Sequence, residues 1–437
     1  MPDNQPKYSL LRAMNIVLKT DNQKGRHTVF HNIRENNKLI NVIYRTYSAL
    51  PSYYLKAFVI HVYGLKSFLS IKYASNLDNF DIVATGFFPN EKKAILELQD
   101  ILDDHKIYSF QSNIKYSFDP RNWVKALKGY KNIFKIYRIC MHLVKKYDFM
   151  PACRGISVIF YAARYEIELR KYSNSLTLIV SNYAPDATGL AAASHKLEKK
   201  IIFSNHAVPA ENAEYTAPVY TNLSILANPA SLNTYKNRSR LYGDHVFKGY
   251  NNTLEHPLRL NNLITRNPLN IGIFLTGTAN TKALENYLYE LSFNLNVQNF
   301  YLRPHPVNLL HLDFNSLKAQ FKNLDINYEK PIERHAEQCD FVICGNTSAI
   351  IEVLKSGAPV IYSNRLDNIA YDYCGFIEHN LCPEEKNFNE KFLKYVAEFY
   401  KKEEWADIMR LYDPYYATDN AVARKSIQTA IKELISQ

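Results

Sequence analysis

Short apolar runs that stop on polar or glycine residues and pass straight into helical segments recur along this chain, and that alternation is the grammar of a parallel sheet. Asp81-Ile82-Val83-Ala84-Thr85-Gly86 precedes Pro89 and a helical segment from Glu91 to Leu102. Leu176–Ser181 leads through Asn182–Gly189 into an alanine-rich helix, and Ile201–Ser204 then ends in Asn205-His206-Ala207-Val208-Pro209. Another unit opens with Leu269–Leu275, turns at Thr276-Gly277-Thr278-Ala279-Asn280 and continues as a helix from Lys282 to Phe293. Ligands of such sheets sit where the strands end, so the residues just past each run are the ones to weigh.

At 437 residues the chain exceeds what one core usually serves. The sequence therefore predicts an α/β protein of two Rossmann-like domains facing across a cleft. The polar, irregular stretch from Tyr235 to Pro268 reads as the linker. Its boundary near Thr265 gives domains 1–265 and 266–437, the last helix being free to pack back on the first. The segment from Glu403 onward reads as helical, broken around Asp413-Pro414.

A net charge of +11 and a pI near 9.0 imply an anionic partner: nucleic acid, a phosphorylated small molecule, an acidic glycan or an anionic membrane. Aromatic residues make up 13%, yet no RNA-recognition motif or zinc finger accompanies them, so nucleic acid is set aside. The six cysteines match no zinc spacing and read as buried thiols of a cytosolic protein. Met1–Lys7 lacks a signal-peptide apolar core, which points to the cytoplasm. Tyr53–Ile71 is apolar but interrupted by Lys56, His61 and Lys66, too polar to span a bilayer. From Trp123 to Tyr147, Leu127, Tyr130, Phe134, Tyr137, Met141 and Val144 recur at helical steps among seven Lys and Arg side chains. That helix is either core-facing with a solvated basic face or peripheral on the inner face of an anionic membrane.

Two strand ends carry candidate phosphate chemistry. In Arg303-Pro304-His305-Pro306 the prolines fix the backbone on both sides of the imidazole. A histidine so held can hydrogen-bond a phosphate oxygen or protonate a leaving group. In Gly345-Asn346-Thr347-Ser348 a strand empties into a helix, where N–H groups and two hydroxyls converge; simple capping is the competing reading. Gly357 suits the stop of that helix and Pro359 the turn after it. Gly277, at the turn after the Leu269 strand, joins Arg303, Pro306, Asn346, Thr347 and Ser348 as a phosphate-side candidate. On the other domain Asp186 is the candidate base or nucleophile, with helix capping as its alternative, and His206 is a weaker contact to sugar or acceptor. Walker, dinucleotide, His-Glu-x-x-His and nucleophile-elbow motifs are missing from the sequence.

With His305-Pro306, Thr347-Ser348 and Asp186 ahead of Gly189, the chain resembles the GT-B glycosyltransferases, and within them the bacterial sialyltransferases and Kdo transferases that use CMP-activated ulosonic acids. Leu269–Tyr362 carries the likeness; the first 170 or so residues carry almost none. The resemblance implies that His305, Thr347 and Ser348 hold the CMP phosphate, that Arg303 adds charge, and that Asp186 acts on acceptor or sugar. It implies a nucleotide-binding C-terminal domain, an acceptor-side N-terminal domain, and no metal or other cofactor. The implied reaction moves sialic acid or Kdo from a CMP-sugar to a glycan acceptor of lipopolysaccharide, lipooligosaccharide or capsule. Many sialyltransferases carry an acidic pair directly before the glycine; here Ala187 and Thr188 separate a lone Asp186 from Gly189, so base and nucleophile both stay open. The alternatives are a CDP-glycerol or ribitol phosphotransferase of teichoic-acid type, where Glu352 would be a weak match to an expected acidic residue, and a non-catalytic basic protein that binds glycan or membrane.

Overall fold

The structure is a computed structural model that describes residues 8–72, 77–129, 133–172, 176–205, 208–249, 255–280, 283–305, 309, 313–417 and 421–436. Among these residues eleven strands form two sheets. The first comprises β1 (Ile82–Thr85), β2 (Ile107–Ser109), β3 (Leu176–Ile179), β4 (Ile201–Ser204), β5 (Val219–Leu226) and β6 (Leu241–Phe247), in the order β2-β1-β3-β4-β5-β6. The second comprises β7 (Leu269–Phe274), β8 (Val297–Arg303), β9 (Leu324–Ile326), β10 (Phe341–Cys344) and β11 (Val360–Tyr362), in the order β11-β10-β7-β8-β9. Every pairing is parallel. Both orders reverse direction partway along the sheet, so each is a doubly wound, Rossmann-like domain.

Parallel strands buried on both faces need cover on each side. On the first sheet one face is packed by helices Leu10–Asp21, Phe149–Leu169 and Pro185–Lys196, with Tyr53–Leu69 stacked on Phe149–Leu169. The other is packed by Pro89–Ile101 and the final helix Ala421–Ser436, whose Ile427, Ile431 and Leu434 enter the core of the first domain. Gln428 donates to the Ile101 carbonyl at 2.8 Å, and Lys200 to that of Leu434 at 2.7 Å, which ties the chain's last helix to the first sheet. A Cβ at position 189 would stand 2.8 Å from Tyr161 Cβ, so only glycine lets Pro185–Lys196 lie this close to Phe149–Leu169. That contact sets the height of Asp186, one turn earlier.

Two sequence expectations change. The stretch read as linker opens in the last turn of helix Pro229–Arg238 and continues as β6, an edge strand of the first sheet whose middle is exposed. The single helix expected over Trp123–Tyr147 is two, Pro120–Gly129 and Ile133–Lys146, with 130–132, and so Tyr130, outside the described residues. Gly129 is a poor helix interior residue, which fits an end there. The six cysteines are free and buried, and no helix among the described residues is long and apolar enough to cross a membrane.

Gly357 ends helix Ala349–Lys355 with φ of 81°, the left-handed region that glycine occupies without penalty. A Cβ there would also meet the Pro257 carbonyl at 2.6 Å. Gly357→Ala is expected to destabilise the protein by about 1–3 kcal/mol, read as a lower urea midpoint at unchanged slope.

Candidate active site

The C-terminal edge of the second sheet is organised by Asp367, a buried carboxylate five residues beyond β11. It accepts from the Thr276 hydroxyl at 3.0 Å, the Thr278 hydroxyl at 2.5 Å and the Ile369 N–H at 3.0 Å, with the Asn346 N–H at 3.4 Å. One side chain thereby joins the turns after β7, β10 and β11. Gly277 lies between the two threonines, and the His305 ring packs over it: a Gly277 Cβ would be 3.4 Å from His305 Cε1 and 3.5 Å from Nδ1. The structure therefore brings His305 and Gly277 together as neighbouring strand ends. His305 is exposed on its outer side, while the protein packed against its ring lowers its pKa below the ordinary imidazole value.

The Gly345–Ser348 turn is less open than its sequence implies. Thr347 donates its N–H to Gly345, the Ala349 N–H reaches the Thr347 hydroxyl at 3.3 Å, and Ile350 and Ile351 donate back to Thr347 and Ser348. Thr347 thus does cap. Ser348 does not: its hydroxyl makes no capping bond and its backbone is already helical. The helix that follows has only seven residues, so its dipole is short.

The Asn346 side chain is bonded within the protein on both its polar atoms. Its amide nitrogen donates to the Ile369 and Tyr371 carbonyls at 3.3 and 3.0 Å, and its oxygen accepts from the Tyr362 hydroxyl and the Tyr373 N–H at 3.0 and 2.8 Å. Three of these four bonds hold the 369–373 loop, and the fourth ties Asn346 to Tyr362 of β11, whose hydroxyl also lies 3.1 Å from the Tyr371 carbonyl. Asn346→Ala is expected to lower stability by about 2 kcal/mol and to open that loop to limited proteolysis.

Arg303, half-buried at the end of β8, donates to the Lys330 carbonyl at 2.5 Å, with Glu352 and Glu333 close enough to act on its charge. Pro306 and His206 lie outside the described residues.

On the first sheet Asp186 sits in the first turn of Pro185–Lys196, 3% exposed. Thr85, the last residue of β1, donates its hydroxyl to Asp186 Oδ2 at 2.8 Å and lies 3.0 Å from the Tyr165 hydroxyl. Burial, then the nearby Glu91 carboxylate, pushes the Asp186 pKa up to about 7. Glu91 is itself buried and raised, chiefly by burial, although it accepts from the Phe87 and Phe88 N–H groups at 2.9 and 3.1 Å. Asp186 also accepts from its own backbone N–H in the first turn of the helix, which lowers its pKa without offsetting burial, so a carboxyl near neutrality stands at this edge.

The two edges face each other. Asn212, between β4 and β5, donates to the Asp372 carbonyl at 2.8 Å, and Glu211 pairs with His379 at 2.7 Å. Across the same gap, burial raises the Glu352 carboxyl while Lys93 of the first domain is the largest influence pulling it down. A cavity of about 380 Å³ lies at the first sheet's strand ends, between Pro89–Ile101 and Ala421–Ser436; Ser204, Lys248, Glu97 and Arg424 line it. Asp367, Thr85 and Glu91 were not singled out from the sequence. Glu91 alone left a local signal, three residues past Phe88 where a capping glutamate belongs.

No family model and no curated protein matches the sequence. Among solved structures, the chain is similar to the UDP-bound Staphylococcus aureus MnaA (10% identity, 81% of this chain and 96% of that one, TM-score 0.45). It is also similar to the Methanocaldococcus jannaschii UDP-GlcNAc 2-epimerase (10%, 80% and 99%, 0.44) and to the calicheamicin glycosyltransferase CalG4 (10%, 81% and 99%, 0.47). At these values the fold assignment rests on the two parallel sheets themselves: two Rossmann-like domains across a cleft, the GT-B arrangement.

Proposed function

We propose that this protein is a glycosyltransferase that takes a sialic acid or Kdo-type ulosonic acid from a CMP-activated donor to a glycan acceptor. The observation that carries the reading is a pairing of unlike groups on facing edges: Asp186, buried with a pKa of about 7, and His305, a near-surface imidazole with a lowered pKa, packed on Gly277. A base that must take a proton from a hydroxyl works best when its pKa lies near the operating pH. In the proposed step the acceptor oxygen bonds to the anomeric carbon, its proton passes to Asp186, and the bond from that carbon to the CMP phosphate oxygen breaks. His305 donates an N–H to the phosphate, with the Ser348 hydroxyl as second donor, and Arg303 adds positive charge nearby. No metal or cofactor enters this step.

The test is nucleotide release. The protein is incubated separately with CMP-sialic acid, CMP-Kdo, CDP-glycerol and UDP-N-acetylglucosamine, each with and without a lipooligosaccharide acceptor. Acceptor-stimulated CMP release supports the reading; release from CDP-glycerol or UDP-sugar alone replaces the donor, and release from none removes the enzyme.

A further inference from the structure

The positive charge of this chain is concentrated away from the cleft. Residues 36–77 hold five Lys and Arg and no Asp or Glu, and residues 120–147 hold eight and none. These thirteen cations exceed the +11 of the whole chain, so the remainder is slightly acidic. Both segments fold into helices: Tyr53–Leu69 packs with Pro120–Gly129 and Ile133–Lys146, and Lys38–Ala49 adjoins it where Lys56 Nζ lies 5.6 Å from the Tyr47 ring centroid. Asn122 donates to the Leu69 and Ile71 carbonyls, each at 3.0 Å, and the Tyr137 hydroxyl to that of Tyr54 at 2.9 Å. The two later helices are thereby pinned at opposite ends of Tyr53–Leu69, a rod of about 25 Å.

The outer face of this layer is apolar where a soluble surface should be polar. Tyr54, Phe58 and Val62 form an exposed stripe at helical spacing along Tyr53–Leu69. Leu39 and Val42 stand out from Lys38–Ala49, Trp123 and Leu127 from Pro120–Gly129, and Phe134 is 82% exposed. Lys38, Arg45, Lys66, Lys135 and Arg138 are exposed among them. Lys125 is excluded from that count, since it pairs with the buried Glu168 and anchors its helix to Phe149–Leu169.

We infer that this four-helix face docks on an anionic lipid bilayer. Cations drawn to phosphate headgroups, with aromatic and aliphatic side chains reaching below them, are what an interfacial surface requires. A second copy of the chain is a poor occupant, because it would set two acid-free basic faces against each other. Nucleic acid would satisfy the cations and leave Leu39, Val42, Val62 and Leu127 against a charged backbone. The inference stands apart from the proposed reaction, yet it has a bearing on it. Tyr53–Leu69 turns Gly64 and Ser67 inward onto Phe160 and Ser157 of Phe149–Leu169, and Tyr161 of that same helix lies within range of the Asp186 charge. One layer of helices separates the docking face from the candidate base.

The experiment is vesicle co-sedimentation of the full chain without donor, comparing phosphatidylcholine alone with phosphatidylcholine containing about one-third phosphatidylglycerol. Binding is expected to be at least about tenfold stronger on the anionic vesicles and to weaken in about 0.5 M salt. Lys135→Glu with Arg138→Glu should lower partitioning about tenfold or more. Phe58→Ser with Leu127→Ser should lower it to a similar degree while leaving the salt dependence in place. All four positions are exposed, and unchanged thermal unfolding would confirm intact variants. Equal binding to both vesicle types, wild-type binding by both double variants, RNA displacing the vesicles, or a dimer that Phe58→Ser with Leu127→Ser dissolves would each overturn the inference.

Discussion

His305→Ala is expected to reduce acceptor-dependent CMP release about 10²–10³-fold while leaving the fold intact. The ring lies on Gly277 at the exposed end of β8, so its removal opens no core cavity and thermal unfolding should move little. The protonation states decide how the side chain acts. Crowding holds the imidazole below its ordinary pKa, and burial holds Asp186 at about 7. Around neutral pH His305 is thus neutral, and the pair rarely holds an ionised Asp186 together with an imidazolium. A phosphate leaving group, with a second pKa near 6, needs no proton to depart. His305 therefore serves as a neutral N–H donor to the phosphate. Two consequences separate this from proton donation. The rate should show no alkaline fall between about pH 7 and 9. His305→Gln, which keeps an N–H donor, should recover a tenth or more of the activity that His305→Ala loses. A symmetric bell-shaped profile, or a glutamine variant as inactive as the alanine, would return His305 to the role of general acid.

The strand ends were legible because a short apolar run followed by Gly, Pro or a hydroxyl has few other readings. β1, β3, β4, β7, β8, β10 and β11 fall where those runs stand. β5 and β6 were not, since Thr221 and Asn222 interrupt one and Gly243, Asp244 and His245 the other. β6 sits at the sheet's edge with its middle exposed, so nothing forces its residues to be apolar. The site was legible residue by residue but not as a network. His305 announces itself by its prolines. Asp367 has no neighbouring pattern, and it becomes central only once three strand turns meet on it. Asn346 shows the same limit: nothing in Gly345-Asn346-Thr347-Ser348 foretells that its amide bonds the 369–373 loop.

Asp186→Asn is expected to abolish measurable transfer, a loss of about 10²–10⁴-fold, and at the same time to make the protein more stable. The two effects share one cause. Asp186 is buried beside Glu91, with the Thr85 hydroxyl donating to it and the Arg154 guanidinium a lesser favourable charge; Tyr161 and Tyr165 complete the surround. Its pKa rises from 3.8 to about 7 because the ionised form is the costly one. A carboxyl raised on folding contributes fully at low pH, where it is protonated in both states. That contribution falls from about pH 4, where the unfolded chain ionises, and is gone above about 7, where the folded one does. Above about pH 8 the native state carries a buried charge worth up to roughly 4 kcal/mol, a ceiling because Glu91 shares the strain. Asparagine keeps the size and the acceptor oxygen for Thr85 and removes the charge. Thermal unfolding of Asp186→Asn and the wild type should therefore lie closest at about pH 4 and separate by several degrees at pH 9, the variant higher. In the wild type the rate should rise with pH to a plateau above about 7, as the base ionises. A variant less stable at pH 9 than at pH 4 relative to wild type would show that the carboxylate is welcome where it lies. A stabilised variant that still transfers sugar would leave Asp186 a buried acid of the fold and move the search for the base to Glu91.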